Sequence, residues 1–312
     1  MTAWPAWLRC PVCHGILTRA SSTTRCLDCA TSYSIVDEIP ILLRPGTDSA
    51  QAGHFDEPED PEFEIERPRG TPALHRWILD EKARRSLTGL EDRISGWSAL
   101  TVCGGSGMDA EWLAGAGAQA VSSDIALGAA RRAGERSRRH GVSFGSIVAD
   151  ATALPAADRS IDLVYVHDGL HHLERPQAGL SELLRVCRRA VSITEPSRAT
   201  ATAIAIRLGL AREWEESGNR IARQSLDELV GHVRAAGFRI VRAERYALYY
   251  RHRPGRLTKA LSLPLALPLA RAAWRLVDRL LGRAGNKLVV VALRDGDEAV
   301  EDREGGTAVE AS

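Results

Sequence analysis

Short apolar segments alternate with helical patterns between residues 99 and 195, and this alternation constrains the fold more than any other feature of the chain. The apolar segments have the length and composition of buried strands. Because parallel strands need crossover connections, usually helices, the alternation predicts an α/β fold with a parallel sheet. The predicted strands are 99–103, 118–123, 142–149, 161–167 and 190–194, and 238–250 and 287–293 bring their number to seven.

A glycine-rich loop follows the first predicted strand. Gly105, Ser106 and Gly107 stand where the strand ends and a helix begins. Glycine lets the backbone approach a ligand, and a helix N-terminus favours negative charge. Asp124 ends the next predicted strand, nineteen residues after Gly105, and a carboxylate there can accept both hydroxyls of a ribose. The loop also satisfies the dinucleotide fingerprint, so by itself it leaves a nicotinamide enzyme open.

The residues downstream of the loop distinguish a nicotinamide enzyme from other enzymes that bind a nucleoside-containing cofactor. They read VADATALP, DRSIDLVYV and GLHHLERP, and a later strand ends at the acidic Glu195. This succession resembles the class I S-adenosylmethionine-dependent methyltransferases, most closely the type 11 methyltransferase group, over residues 97–195. The resemblance implies a Rossmann-like sheet of seven mostly parallel strands, with S-adenosyl-L-methionine as the cofactor.

The resemblance also implies the residues that bind the cofactor. The glycine loop would lie against the methionine part, Asp124 would bind the ribose hydroxyls, and Ile125 would pack on the adenine. Asp150 would accept the adenine amino group, helped by the backbone of Ala151, and His167 would lie beside the sulfonium. The predicted cofactor-binding residues are therefore Gly105, Ser106, Gly107, Asp124, Ile125, Asp150, Ala151 and His167.

Two residues depart from the family pattern. Thr101 stands where members usually have an acid, and Cys103 stands where they usually have glycine. The acid normally helps to organise the loop and the amino group of the cofactor. These departures leave open weak cofactor binding, or a non-catalytic relative that serves as a docking protein.

The candidate catalytic residues follow from the fold. In such sheets ligands lie at the carboxyl ends of the strands, and methyl transfer needs an aligned acceptor and often a base. Candidate bases at those ends are His167, Asp168, His171, His172 and Glu195. Imidazole has a suitable pKa, although the two adjacent histidines also fit a structural role.

The acceptor class follows partly from what the sequence lacks. It contains no Pro-Pro dipeptide, which the element used by amino-group methyltransferases requires, and no cysteine near the fourth predicted strand to attack a cytosine. We therefore expect O- or C-methylation of a small molecule, lipid or glycan. RNA is the alternative, since residues 131–139 hold five arginines that could contact phosphates.

Two C-x-x-C pairs lie near the N-terminus. Cys10, Cys13, Cys26 and Cys29 can complete a tetrahedral Zn²⁺ shell, and four thiolates leave no open position, so we expect a structural zinc. The sequence around these cysteines contains CPVCHGIL and CLDCATSYSIVDEIPILL. It resembles the zinc-ribbon domain related to the tRNA-methyltransferase activator protein. Such a ribbon could also bind a partner protein.

The remaining organisation follows from charge and proline content. We expect a zinc ribbon over 1–46, an acidic Pro-rich linker over 47–72, a methyltransferase domain over 73–294 and an acidic disordered tail over 295–312. No signal peptide or membrane-spanning segment is visible, which predicts a cytoplasmic protein. A helical insertion, 254–285, includes a basic amphipathic stretch that predicts either a lid over the pocket or peripheral membrane contact through 257–281.

Overall fold

Strands and helices alternate from residue 98 onward, as the sequence predicts. The computed structural model describes residues 4–47, 56–199, 222–248 and 251–296, with single positions at 53, 202 and 207. The acidic tail expected over 295–312 falls mostly outside the described residues. The strands are β1 Leu17–Arg19, β2 Thr23–Cys26, β3 Ser32–Val36, β4 Ile39–Leu42, β5 Ser98–Val102, β6 Gln119–Asp124, β7 Gly145–Ala149, β8 Ile161–His167, β9 Cys187–Pro196, β10 Phe238–Tyr246 and β11 Lys287–Arg294. The helices are α1 Pro61–Glu66, α2 Ala73–Ser86, α3 Met108–Gly115, α4 Leu127–His140, α5 Pro176–Val186, α6 Leu226–Ala235, α7 Arg256–Ala260 and α8 Leu267–Leu281, with 3₁₀ turns at Leu170–His172 and Gly282–Ala284.

The seven strands from β5 onward form a mixed, mostly parallel sheet in the order β7-β6-β5-β8-β9-β11-β10. The five strands β5 to β9 are parallel, whereas β11 runs antiparallel to both its neighbours, β9 and β10. Helices α7 and α8 lie in the connection between β10 and β11. The predicted seven-stranded Rossmann-like sheet is confirmed.

The cysteine-rich segment extends this sheet. Strands β1 to β4 pair antiparallel in succession, and β4 then pairs in parallel with β7, with Leu42 opposite Ala149. Leu42 is fully buried. The four N-terminal strands therefore cover one edge of the sheet, which would otherwise present unpaired backbone groups.

Apolar side chains cover both faces of the sheet. Alternate residues of one strand point to opposite faces, so Val164 joins the cluster that includes helices α5 and α6, while Leu163 and Tyr165 join the cluster that includes α2.

Part of the predicted linker is a docked helix. Helix α1 begins after Asp60, whose side chain accepts a hydrogen bond from the Phe63 backbone N–H at 3.0 Å. Arg136 of α4 donates to the carbonyls of Glu64 and Arg67 at 2.6 and 2.7 Å. Proline content suggested a linker, but the acids of this segment pair with arginines that lie far away in the sequence.

The helical insertion packs on α2. The rings of Trp274 in α8 and Trp77 in α2 meet edge to face, with centroids 5.1 Å apart. Among the described residues, no helix has the length and apolar content needed to cross a membrane.

Candidate active site and metal centre

The glycine loop after β5 is held in a shape that only small residues allow. The Gly104 N–H donates to the Ser123 carbonyl at 2.8 Å, and the Gly107 N–H donates to the Gly104 carbonyl at 3.0 Å. A Cβ on Gly104 would lie 2.6 Å from Thr101 Oγ1. Gly105 has a φ of +51°, and among the described residues nothing lies within 4 Å of a Cβ placed there. The described part of the chain therefore leaves space beside the Gly105 backbone.

Asp124 lies against this loop, as expected. Its carboxylate accepts hydrogen bonds from the Gly105 N–H at 2.9 Å and the Ala126 N–H at 3.0 Å. Burial raises the pKa of Asp124 more than these two hydrogen bonds lower it. Each carboxylate oxygen can accept further hydrogen bonds. The next residue, Ile125, packs against Ala126 and Ala129.

Asp150 follows β7 at the same edge, because β6 and β7 are parallel neighbours. Its Oδ1 accepts hydrogen bonds from the Thr152 N–H at 2.7 Å and the Thr152 hydroxyl at 2.8 Å. Ala151 is buried. The loop, Asp124 and Asp150 thus follow three adjacent strands, β5, β6 and β7.

The two departures from the family pattern are accommodated. Thr101 is buried beneath the loop. Cys103 adopts a φ of +54°, a conformation that costs a residue with a Cβ about 1–2 kcal/mol. A Cβ on Gly169 would lie 2.6 Å from the Cys103 Cβ, so the loops after β5 and β8 are in contact. Burial raises the pKa of the Cys103 thiol well above its usual range, which disfavours a nucleophilic thiolate.

Glu195 and His171 form a buried pair. The Glu195 carboxylate accepts backbone hydrogen bonds from Gly169 at 2.9 Å and Leu170 at 2.7 Å, and its Oε2 lies 2.7 Å from His171 Nδ1. Glu195 is fully buried. Because a carboxylate only accepts, His171 Nδ1 carries the hydrogen, which leaves Nε2 as the basic nitrogen of the neutral ring.

The other two candidate histidines have different surroundings. The His172 ring lies against that of His171, with centroids 4.1 Å apart. His167 Nδ1 lies 3.1 Å from the Tyr165 hydroxyl. Burial, and next the charge of Lys82, lower the pKa of His167 well below its usual range. His167 is therefore neutral near pH 7 and is suited to hydrogen bonding rather than to taking up a proton.

The sequence analysis names Asp168 as a candidate base but misses the two lysines that pair with it beside His167. Asp168 follows β8 and pairs with Lys82 Nζ at 3.1 Å and with Lys287 Nζ. Burial is the largest single effect and raises the pKa of Asp168, but the charges of Lys287, Lys82 and the neighbouring histidines together lower it well below its usual range. Lysine usage was the available signal, since the chain has only three lysines and two of them meet here.

Asp109 was missed as well. It lies in the first turn of α3, and its Oδ1 is buried 3.9 Å from His167 Nδ1. Within the described part of the chain, this oxygen accepts no hydrogen bond. Burial raises the pKa of Asp109 to about 6, although Lys82 opposes the shift. A buried carboxylate oxygen of this kind suits a positively charged ligand group.

The four N-terminal cysteines converge on one point. Their Sγ atoms all lie within 4.8 Å of one another, with Cys10 and Cys29 3.7 Å apart and Cys13 and Cys26 3.4 Å apart. A tetrahedral zinc with thiolate ligands at ~2.3 Å needs sulfur–sulfur distances of about 3.8 Å. Residues in the left-handed region, His14 and Ala30, close the two C-x-x-C turns. This donor set fits zinc.

Comparison with known proteins supports the same class. The methyltransferase domain family matches residues 100–193. A demethylmenaquinone methyltransferase of Renibacterium salmoninarum is 38% identical over 105 residues, which are 34% of this chain and 43% of the relative. One of Paenarthrobacter aurescens is 36% identical over 105 residues, or 34% and 40% of the two chains. The match spans less than half the length of these relatives.

Solved structures share the fold. Magnesium protoporphyrin IX methyltransferase from Synechocystis, solved with bound SAH, superposes with a TM-score of 0.53 at 16% identity, covering 76% of this chain and 94% of that one. Residues 100–193 match the methyltransferase domain family, and the chain shares its fold with this solved methyltransferase, which supports the predicted class.

Proposed function

We propose that this protein transfers a methyl group from S-adenosylmethionine to carbon or oxygen of a small-molecule acceptor. One observation carries the proposal. The stretch that matches the methyltransferase domain family, residues 100–193, contains the glycine loop with open space at Gly105, and Asp124 hydrogen-bonded to that loop.

The cofactor supplies an electrophilic methyl group on a sulfonium when it is bound. Gly105 and its neighbours offer backbone N–H groups, Asp124 offers acceptors for ribose hydroxyls, and Asp150 offers acceptors for the adenine. Asp109 supplies a carboxylate to the ammonium of the methionine part, in place of the acid that is absent at Thr101. Its buried oxygen without a hydrogen bond supports this role.

His171 acts as the base, and Glu195 positions it. The bond from His171 Nδ1 to Glu195 fixes the tautomer that leaves Nε2 able to take a proton. Glu195 itself is engaged by backbone N–H groups of the turn after β8, so it orients rather than accepts the proton. The contact between this turn and Cys103 links it to the cofactor loop.

A phenolic or enolic acceptor fits the charge at this edge. Two lysines flank Asp168 beside His167, and their ammonium groups can donate hydrogen bonds to an acceptor oxygen that has lost its proton. The curated relatives are named demethylmenaquinone methyltransferases. We therefore expect a reduced, quinol-like acceptor that is methylated on the ring.

Calorimetric binding of S-adenosylhomocysteine to zinc-loaded protein tests the cofactor site. Asp124→Asn keeps the shape but removes the charge, and we expect affinity to fall by about 10- to 100-fold, as for a lost charged hydrogen bond. Asp227→Asn, on the exposed surface of α6, is the matched control and should bind as the wild type does. Folded, zinc-loaded protein without affinity for the ligand would overturn the proposal.

Methyl transfer from labelled S-adenosylmethionine to a reduced naphthoquinol tests the chemistry. We expect His171→Gln to lower kcat by about 10²- to 10⁴-fold, the usual contribution of a general base. It should also abolish the fall in rate at low pH that protonation of the base causes, whereas His172→Gln should retain it. An unchanged profile in His171→Gln would exclude the assigned base.

The four cysteines hold a structural zinc in this proposal. Metal analysis of purified protein should find one zinc per chain, and Cys26→Ser should lose it. Because β4 pairs with β7, removing the metal should also lower the unfolding temperature of the methyltransferase domain. Metal-free protein with unchanged stability would contradict this role.

A further inference from the structure

Large apolar side chains are concentrated on one exposed surface of α7, α8 and the turn between them. Within the described ranges, eight of the eleven exposed large apolar side chains lie between residues 257 and 281, and Leu265 is 92% exposed. We call this region the leucine surface. Its members are Leu257, Leu263, Leu265, Leu269, Leu276, Val277, Leu280 and Leu281.

Helix α8 turns its apolar side away from the protein. Its inner side contacts α2 through Trp274, which meets Trp77, and Asp278, which pairs with Arg85. Leu276 and Leu280 are 56% and 70% exposed and lie opposite Trp274 on the helix. A surface helix normally buries its apolar side, so the fold makes no use of this one.

Positive charge surrounds the leucine surface. Residues 256–283 contain six arginines and lysines and a single acid, Asp278. The Asp278 carboxylate faces inward, where it accepts hydrogen bonds from Arg85 and from the Ala247 N–H. Arg275, Arg279 and Arg283 are exposed beside the leucines. The surface presented to solvent is therefore both apolar and cationic.

We propose that the leucine surface binds an anionic lipid bilayer, with α8 lying in the plane of the interface. Leucines of such a helix enter the boundary between headgroups and acyl chains, while arginine side chains extend to the phosphates. A second copy of the chain would also cover the leucines, but it would bring the same positive charges together. The ring of cations therefore favours anionic lipid.

The leucine surface lies next to the candidate active site. Helix α2 contacts α8 through Trp77 on one side, and on the other side Lys82 reaches Asp168 and Ser86 reaches Tyr165. Helix α2, about 10 Å thick, therefore separates the leucine surface from the candidate active site. If the proposed function holds, the acceptor is an amphiphile that enters from the bilayer, whereas bilayer binding itself does not depend on methyl transfer.

Co-sedimentation of the zinc-loaded full chain with lipid vesicles, without methyl donor, tests the proposal. We expect binding to vesicles of equal parts phosphatidylcholine and phosphatidylglycerol, weakened by salt, and little binding to phosphatidylcholine alone. Leu276→Ser with Leu280→Ser should lower the partition coefficient at least about tenfold through lost apolar burial. The matched control, Ile16→Ser with Leu27→Ser, removes two exposed apolar side chains of the N-terminal segment and should bind normally.

A charge reversal completes the test. Arg279→Glu with Arg283→Glu should abolish binding to the anionic vesicles, whereas Arg138→Glu with Arg234→Glu, exposed elsewhere, should not. Equal binding to both vesicle types, or wild-type binding by the leucine variant, would overturn the proposal. So would a wild-type dimer in light scattering that ignores vesicles and becomes a monomer in the leucine variant.

Discussion

Two arginine-rich helices, α4 and α8, have similar basic faces in the sequence but opposite surroundings in the structure. Helix α4 carries five arginines, and each of them contacts an acid or a backbone carbonyl of another segment or of its own helix. Helix α8 has its single acid turned inward and its leucines exposed. A basic helix is available to a partner only where the rest of the chain leaves its charges unmatched.

The difference bears on one argument for an RNA acceptor, the arginines of α4. Arg131 pairs with Asp37 of the N-terminal segment at 2.8 Å, and Arg139 pairs with Glu66 of α1 at 3.0 Å. The acidic cluster, which the sequence suggests is a linker, supplies part of this compensation. Phosphates would have to displace these acids.

Arg136 gives the largest expected effect. Its guanidinium is fully buried and donates to Glu111 at 2.8 Å and to the Ser106 carbonyl at 2.8 Å. Arg136→Met removes one of three partners of Glu111, which keeps Arg69 and His140, and it leaves three backbone carbonyls without their donor. We therefore expect a loss of about 3 kcal/mol in the free energy of unfolding. Urea denaturation measures this loss.

Arg279→Met is the matched change on α8. Its side chain is exposed, so we expect a change within about 0.5 kcal/mol. Equal losses of unfolding free energy in Arg136→Met and Arg279→Met would contradict the difference between α4 and α8, because both helices would then contribute equally to the stability of the fold.

Acid should loosen the contact between α1 and the segment that holds His252. Glu64 is 13% exposed. Burial raises its pKa, but the His252 hydrogen bond and the charge of Arg67 lower it more, to about 2. The pKa of Glu64 is lower in the folded protein than in the unfolded one. Its carboxylate therefore stabilises the fold above about pH 4.5, and this stabilisation is lost as the pH falls toward 2.

We expect the Glu64 carboxylate to contribute about 2–3 kcal/mol to the free energy of unfolding. Denaturation at a series of pH values should therefore show a smaller acid loss in Glu64→Gln than in the wild type. Glu57→Gln, an exposed acid outside α1, should follow the wild-type curve. If Glu64→Gln followed it too, the acidic segment would not be held by this carboxylate.

The sequence predicts what depends on local pattern. The strand–helix alternation predicts the seven strands, and the loop with Asp124 forms as expected because neighbouring parallel strands end at one edge. It does not predict the pairing of Lys82 and Lys287 with Asp168, or of Glu64 with His252. These contacts join segments far apart in the chain, and only the tertiary packing brings them together.

A smaller effect is expected for Arg139, at the exposed end of α4. It is 34% exposed and pairs with Glu66 and Glu135, so salt screens these pairs. Arg139→Gln should cost at most about 1 kcal/mol, and less at high salt. A loss that salt does not reduce would mean that the pair is desolvated, as Arg136 is.

The smallest effect is expected where the sequence pattern is most apolar. Leu276→Ser with Leu280→Ser removes two large side chains from α8, yet without lipid we expect the free energy of unfolding to stay within about 0.5 kcal/mol. The reason is that both are exposed already. Leu79→Ser in α2, which is fully buried, should cost several kcal/mol in the same urea assay, since it loses apolar burial and leaves a cavity, for which about 2–5 kcal/mol is usual. A comparable loss in the α8 variant would show that something in the protein covers this face, and the contrast between α4 and α8 would fail.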